Sequence, residues 1–228
     1  MARALMLRSP AARAIASLAV LTVAGSVTGL ALGFRDGAVL AWDEALLEVT
    51  ARCGAGATGA WLTVTSLSGW TAMLAVLTVL GAIALWRRAP RVFWFPALAT
   101  AGAEVIKNAV KIAVDRPRPP LSAELVQQAH ATGSSFPSGH ALHAVVLYGA
   151  IALLVTSLVR PRRRTAARTA LLTLALAIAL AVAISRVALG VHYPSDVLAS
   201  LVLGTAWLAA YAAAAGCVGR TDGAARPE

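Results

Sequence analysis

Residues 167–186 read ARTALLTLALAIALAVAISR, and this stretch decides the class of fold. Its interior carries no charge between Arg168 and Arg186, and a helix needs about 20 apolar residues to cross a bilayer. Similar runs occur near 13–33, 60–86, 92–112, 139–159 and 195–216. We therefore predict an all-α membrane protein with six transmembrane helices in one bundle.

The composition supports the same class of protein. Of the 228 residues, 59% are hydrophobic and only 13% are charged, and the mean hydropathy is +0.74. A soluble domain is normally about half apolar or less. A soluble all-α bundle would also show polar stripes along its helices, which these runs mostly lack.

The basic residues cluster at four places, and the net charge is +10. Membrane proteins concentrate basic residues on the cytoplasmic side, and six spans put all four clusters on one side. This predicts that both termini are cytoplasmic and that the bundle lies in the plasma membrane. Nucleic acid, the usual partner of a basic soluble protein, is disfavoured because these arginines end apolar runs. The clusters are Arg3, Arg8 and Arg13; Arg87, Arg88 and Arg91; Arg160, Arg162, Arg163, Arg164 and Arg168; and Arg220.

We predict one transmembrane domain over residues 1–217 and a disordered cytoplasmic tail over 218–228. The first run could instead be a cleaved signal peptide, although it is longer than an ordinary signal core and its loss would leave five spans. Between the first two runs, Asp43 and Glu44 suit the first turn of a short surface helix, and Gly54 suits its end.

Three polar clusters interrupt the apolar chain. They are KIAVDRPRP at 111–119, PSGH at 137–140 and SRVALGVHYPSD at 185–196. In the six-span topology all three reach the outer surface. Charged groups near a bilayer are costly, so they tend to mark function, and the sequence therefore predicts a site at the extracytoplasmic face.

The residue types in these clusters suit a phosphate group. Lys111, Arg118 and Arg186 are cations that can hold a doubly charged tetrahedral oxyanion. Ser138 and Gly139 open a predicted helix, whose first N–H groups and positive dipole end attract anions. We interpret this set as a phosphate cradle.

The two histidines of the clusters suggest a division of labour. One would attack phosphorus and the other would protonate the leaving oxygen. An attacking imidazole must be neutral, with its far nitrogen protonated and held. Asp196, four residues after His192, can hold that nitrogen and stabilise the cation that forms.

The motifs K-x6-RP, PSGH and SR-x5-H-x3-D together resemble the type 2 phosphatidic acid phosphatase superfamily, over about residues 60–216. The resemblance implies that His192 is the nucleophile, that Asp196 orients it, and that His140 is the general acid and then the base that activates water. It implies no metal and no cofactor. The implied phosphate-binding residues are Lys111, Arg118, Ser138, Gly139 and Arg186.

The expected function is that of an integral-membrane phosphatase acting on a lipid with a phosphate or diphosphate headgroup. Polyprenyl diphosphate, phosphatidic acid and phosphatidylglycerol phosphate are candidates by resemblance. Two alternatives stay open: a lipid phosphotransferase with the same phosphohistidine, and a non-catalytic lipid-binding or transport protein. Vanadate-dependent peroxidases share the cradle but are soluble as a rule.

The third run carries ionisable residues inside the membrane. Glu104, Lys107 and Lys111 share one helical face, and buried charges should pair and face the bundle interior. We predict a Glu104–Lys107 pair that neutralises charge beneath the pocket and helps to place Lys111.

Three further residues receive simpler interpretations. Arg116 either faces phosphate or meets lipid headgroups, His143 packs behind His140, and His130 is solvated in the long loop. These histidines with His192 and Asp196 could instead ligate a metal, but the cationic neighbours disfavour a bound divalent ion.

Overall fold

A computed structural model of the chain describes residues 41–54, 56–120 and 128–216, together with scattered helical positions between 14 and 33. Within these ranges all regular structure is helical and no strand occurs, which agrees with the predicted all-α class. The elements are α1 (Ala41–Gly54), α2 (Thr58–Ser66), α3 (Trp70–Trp86), α4 (Arg91–Val114), α5 (Gly139–Leu158), α6 (Pro161–Ala188) and α7 (Pro194–Ala214).

Four segments of the described chain are long and apolar enough to cross a membrane: Thr58–Trp86, Gly139–Leu158, Pro161–Ala188 and Pro194–Ala214. The first of these holds both α2 and α3. Helix α4 has sufficient length but carries three ionisable residues in its second half and is not among the four.

The remaining parts of the topology stay predictions. The run at 13–33 falls largely outside the described residues, and the tail at 218–228 falls wholly outside them. The count of six spans, the side of each terminus and the extent of the domain are therefore not tested by the helices.

The predicted run at 60–86 matches the membrane-crossing segment Thr58–Trp86, although that segment is interrupted because α2 ends at Ser66 and α3 begins at Trp70. One predicted boundary was wrong. The run at 167–186 belongs to a helix that begins at Pro161. Proline suits the first position of a helix and arginine is a good helix former, so the basic cluster at 162–168 forms the first turns of α6 rather than a loop.

Helix α5 lies at the centre of the bundle, against α4, α6 and α7. Small residues allow the close approach of α7 to its neighbours. A Cβ atom added to Gly102 would lie 2.2 Å from the Trp207 ring, and one added to Gly149 would lie 2.4 Å from Leu208. Small residues at such crossings are typical of membrane helices, whose association depends on close packing.

The outward faces of the helices are strongly apolar. Leu85 and Ile112 are each 82% exposed, Trp86 is 77% exposed and Leu158 is 72% exposed. Many large side chains exposed in this way are unusual for a soluble monomer, and they suit contact with lipid.

Candidate active site

The three polar clusters meet at one end of the bundle. Helices α4 and α6 end there, and α5 and α7 begin there. The loop before α5 is hydrogen-bonded to the other two clusters. The Ser135 N–H donates to the Arg116 carbonyl at 2.7 Å, and the Ser138 N–H donates to the Asp196 carbonyl at 3.4 Å. The predicted convergence of these clusters is therefore observed.

His192 is 2% exposed and lies between a carboxylate and a guanidinium. Its Nδ1 is 3.4 Å from Oδ2 of Asp196, and its Nε2 is 3.2 Å from Nη1 of Arg118. Burial lowers the pKa of His192 to about 3; Asp196 opposes this shift, while Arg186 and Arg118 add to it. The imidazole is therefore neutral, and because a guanidinium only donates, Nε2 is the nitrogen without a proton.

Asp196 is fully buried, and its carboxylate is held from several directions. Oδ2 accepts the backbone N–H of Tyr193 at 2.9 Å and the hydroxyl of Ser135. Oδ1 accepts from Arg116 at 2.6 Å. A carboxylate with this many donors keeps its charge and its orientation, so it can hold the far nitrogen of His192.

Arg116 corrects both interpretations that the sequence suggested. It is 4% exposed and forms ion pairs with Asp196 at 2.6 Å and with Asp43 at 2.7 Å, so it neither faces a phosphate nor meets lipid headgroups. Asp43 and Ser135 were missed as site residues. Asp43 precedes Arg116 by 73 residues, and no motif or periodicity links the two positions.

Arg118 and Lys111 share one carbonyl, that of Ser134. Arg118 also donates to the carbonyls of Gly133 at 2.9 Å, Thr132 at 2.9 Å and Val191 at 2.7 Å. Burial lowers the pKa of Arg118, and Asp196 opposes that shift. The loop before α5 therefore fixes the guanidinium directly beside His192.

Arg186 and Ser138 are buried, and each has a polar atom without a hydrogen-bond partner in the protein. Arg186 is 1% exposed; it donates to the Thr65 hydroxyl at 3.0 Å and to the Ala129 carbonyl at 3.1 Å, while its Nε has no protein partner. The Ser138 hydroxyl, at the start of α5, and the Ser68 hydroxyl also lack protein partners. Such atoms in a native structure require an explanation, and a bound anion is one. Thr65 and Ser68 are further residues that sequence reasoning missed.

His140 lies opposite the turn between α2 and α3. A Cβ atom on Gly69 of that turn would lie 3.9 Å from Nε2 of His140. Behind the start of α5, a Cβ atom on Gly139 would lie 3.1 Å from Cδ of Lys107. The His140 ring therefore lies close to the turn between α2 and α3, and the start of α5 lies close to the Lys107 side chain.

The predicted Glu104–Lys107 pair is confirmed, with Oε1 and Nζ 2.6 Å apart. Oε2 of Glu104 lies 2.9 Å from Nε2 of His143, although the contact is not aligned as a hydrogen bond. His143 is 5% exposed and meets Trp70 edge to face, with 6.0 Å between ring centroids. It packs one turn below His140, as predicted. That Glu104 and Lys107 help to position Lys111 stays a prediction.

The alternative metal set is not assembled. His130 is exposed in the long loop, at a backbone φ of 49°. Across 41–54, 56–120 and 128–216, no three histidine, cysteine, aspartate or glutamate side chains form a group able to ligate a metal.

Comparison with known proteins agrees with this geometry: the chain belongs to the PAP2 superfamily, which its residues 92–216 match. The Lipid A 1-phosphatase of Rhizobium etli is 33% identical over 106 residues, which cover 44% of this chain and 40% of that protein. The match therefore spans less than half the length of that curated relative.

A solved structure shares the fold of this chain. It is the first transmembrane PAP2 type phosphatidylglycerolphosphate phosphatase from Bacillus subtilis, with a TM-score of 0.73 at 24% identity, over 88% of this chain and 98% of that one. This likeness shows a shared fold, and the four long apolar segments mark the chain as a membrane protein.

Proposed function

We propose that this chain is an integral-membrane lipid phosphate phosphatase that works through a phosphohistidine intermediate and needs no divalent metal. The observation that carries the proposal is the environment of His192. Its neutral imidazole has a carboxylate at Nδ1, which orients the ring as a nucleophile requires, and a guanidinium beside Nε2 that can turn from this nitrogen to the oxygens of an anionic phosphate.

In the first step, Nε2 of His192 forms a bond to phosphorus while the bond from phosphorus to the lipid oxygen breaks. Lys111, Arg118 and Arg186 stabilise the charge on the remaining phosphate oxygens, which is the main contribution a protein makes to phosphoryl transfer. His140 donates a proton to the leaving oxygen. The Nδ1 proton stays in place, where Asp196 stabilises the cationic phosphoimidazole.

In the second step, water attacks the phosphorus of the phosphohistidine. His140, now neutral, accepts the proton of that water, and the bond between nitrogen and phosphorus breaks. Inorganic phosphate leaves and His192 returns to its neutral form. Asp196 holds the same ring nitrogen in both steps, so the ring does not need to turn.

The substrate class follows from where the site lies. Four helix ends surround it at the border between apolar helix faces and a polar loop, which suits a headgroup whose lipid tail stays among the helices. The names of the two similar proteins, a lipid A phosphatase and a phosphatidylglycerolphosphate phosphatase, point to lipid phosphates. Phosphatidic acid, diacylglycerol diphosphate and polyprenyl diphosphate belong to the same chemical class.

The site is proposed to face the extracytoplasmic side of the plasma membrane. The turn between α3 and α4 carries Arg87, Arg88 and Arg91, and the first turns of α6 carry the cluster at 162–168. Both lie at the end of the bundle opposite the site. Because basic residues favour the cytoplasmic side, the site belongs to the other one.

The test is phosphate release by the detergent-purified protein in the presence of EDTA. The panel holds phosphatidic acid, phosphatidylglycerol phosphate, a polyprenyl diphosphate, lipid A and a soluble aryl phosphate. His192→Ala removes the nucleophile, and His130→Ala, in the exposed loop, is the matched control. We expect release that survives EDTA, is inhibited by vanadate, disappears in His192→Ala and persists in His130→Ala.

Two results would contradict the proposal. Release by His192→Ala at the wild-type rate would show that another group attacks phosphorus. No release of phosphate from any member of the panel, with folded protein, would overturn hydrolysis. Transfer of labelled phosphate to a lipid acceptor would then identify a phosphotransferase.

A further inference from the structure

Helix α1 inserts one carboxylate into the core beneath the site. Asp43 is fully buried, and Leu47, one turn later on the same face, packs against the cluster formed by α5, α6 and α7. On another face, Glu48 and Arg52 form an exposed pair 2.8 Å apart. Helix α1 therefore has one face that belongs to the protein interior and one that belongs to water.

Within the described part of the chain, the three hydrogen bonds of Asp43 lead toward Asp196. Its Oδ1 accepts the backbone N–H of Ser195 at 2.8 Å, and its Oδ2 accepts the Ser195 hydroxyl at 2.6 Å and Arg116 Nη2 at 2.7 Å. Ser195 precedes Asp196 in the first turn of α7. Asp43 therefore holds the start of α7 by its backbone as well as by its side chain.

Arg116 completes the connection. Its Nη1 donates to the Ser195 hydroxyl at 2.7 Å and to Oδ1 of Asp196 at 2.6 Å, and its guanidinium stacks 4.2 Å from the centre of the Tyr193 ring. A guanidinium is planar, so fixing one end by Asp43 fixes the direction of the other. Two buried carboxylates thus share one cation, with Arg116 2.7 Å from Asp43 and 2.6 Å from Asp196.

We propose that Asp43 is a positioning residue of the active site, acting through Arg116 and Ser195 on the Asp196 carboxylate that orients His192; this inference rests on the proposed function. Without the Asp43 charge, Arg116 pairs with Asp196 alone and the carboxylate turns away from Nδ1 of His192. Binding of the phosphate by Lys111, Arg118 and Arg186 does not involve Asp43. The turnover number therefore falls while KM stays.

The test compares Asp43→Asn with Glu48→Gln, which removes a carboxylate from the exposed face of the same helix. With a short-chain phosphatidic acid in micelles, we expect Asp43→Asn to lower kcat by about 10- to 100-fold, the range that small misplacement of a reacting group produces. KM should change less than about threefold, well below the effect of lost phosphate contacts. Glu48→Gln should match the wild type.

Two more variants separate positioning from folding. Asp43→Glu keeps the charge and should recover most of the lost kcat; it also carries the test if Asp43→Asn gives little folded protein. In an Arg116→Gln background, Asp43→Asn should add little further loss, because residues that act as one unit are not additive. A lower unfolding temperature with unchanged kcat per folded molecule would overturn the proposal, as would independent, additive losses.

A binding measurement keeps the two proposals distinguishable. Orthovanadate must bond to His192 to mimic the transition state, whereas inorganic phosphate needs only Lys111, Arg118 and Arg186. A transition-state analogue therefore reports interactions that the ground state lacks. Measured by isothermal titration calorimetry, Asp43→Asn should weaken the binding of orthovanadate by at least about 10-fold and leave the affinity for phosphate unchanged.

This split supports the role of Asp43 even if the wild type releases no phosphate from a lipid, a result that would overturn the proposed hydrolysis alone. Equal affinities of wild type and Asp43→Asn for both anions would overturn the inference alone. Binding of neither anion by the wild type would overturn both.

Discussion

The candidate site holds two kinds of buried polar groups. In the network around His192, the carboxylates of Asp196 and Asp43 and the guanidinium of Arg116 are buried and bonded to one another. Elsewhere in the site, Nε of Arg186 and the hydroxyls of Ser138 and Ser68 are buried without protein partners. The first group forms the satisfied side of the site, and the second forms the unsatisfied side, which we propose a bound phosphate completes.

This difference has an energetic basis. A buried polar group without a partner costs about 1–3 kcal/mol, so a protein keeps several of them together only where another molecule provides the missing bonds. A phosphate group offers several acceptor oxygens to such donors. The satisfied network, by contrast, holds His192 in place before any substrate arrives, which lowers the cost of reaching the transition state.

Among the variants that test this comparison, His192→Ala should have the largest effect. Loss of the proposed nucleophile should lower kcat by at least about 10⁴-fold, as expected for a group that forms a covalent intermediate, while phosphate still binds through the proposed cations. Steady-state kinetics and phosphate titration measure the two effects. A variant that keeps more than about one hundredth of the activity would place the nucleophile elsewhere.

Arg186→Lys tests the unsatisfied side. Lysine keeps the positive charge but loses the planar fork, so the bond to Thr65 and the direction of the free nitrogen are both lost. We expect phosphate affinity and kcat/KM to fall by about 10- to 100-fold, the value of a charge-assisted hydrogen bond. Titration with inorganic phosphate checks this, and unchanged affinity would remove Arg186 from the cradle.

The pH dependence of stability tests the burial of His192. Its folded pKa of about 3 lies below the ordinary value of about 6.5. Between these values the unfolded chain takes up a proton that the folded protein does not, so stability is lost as pH falls. From pH 7.5 to pH 5, the free energy of unfolding of wild type should fall by about 2 kcal/mol more than that of His192→Gln. Chemical unfolding in detergent at both values measures the difference, and parallel curves would contradict it.

The smallest expected effect comes from two serines three positions apart. Ser138→Ala removes a hydroxyl that has no protein partner, so the unfolding temperature should stay the same or rise while phosphate affinity falls by about 2- to 10-fold. Ser135→Ala removes a bond to Asp196 and should lower both stability and kcat. If the two variants behaved alike, the distinction between the two sides of the site would be lost.

Much of this site could be predicted from the sequence because its residues fall in short motifs. Lys111 and Arg118 are one cluster, Ser138 to His140 another, and Arg186 to Asp196 a third, each joined to an apolar run that must be helical. The order of the runs then brings the clusters to one end of the bundle. The catalytic roles of these residues stay predictions until the variants are measured.

The missed residues share a different property. Asp43 lies in a helix whose acidic first turn is fully explained by the helix dipole, and Thr65 and Ser68 look like ordinary small polar residues of an apolar run. The sequence contains no sign that Asp43 is buried or that Arg116 turns inward. The start of α6 was misjudged for a related reason, since hydropathy reports the apolar part of a helix and says nothing of its polar first turns.

The sequence by itself determined the helical membrane class, the three polar clusters and the residue types needed for phosphate chemistry, because hydropathy and motif spacing are local properties of the chain. Only the tertiary structure decided which polar atoms have partners and which are left open. Burial and hydrogen bonding depend on residues brought together from distant positions, as Asp43, Arg116 and Asp196 are. The same sequence-distant contacts separate the hydrogen-bonded surroundings of His192 from the buried polar atoms that lack protein partners.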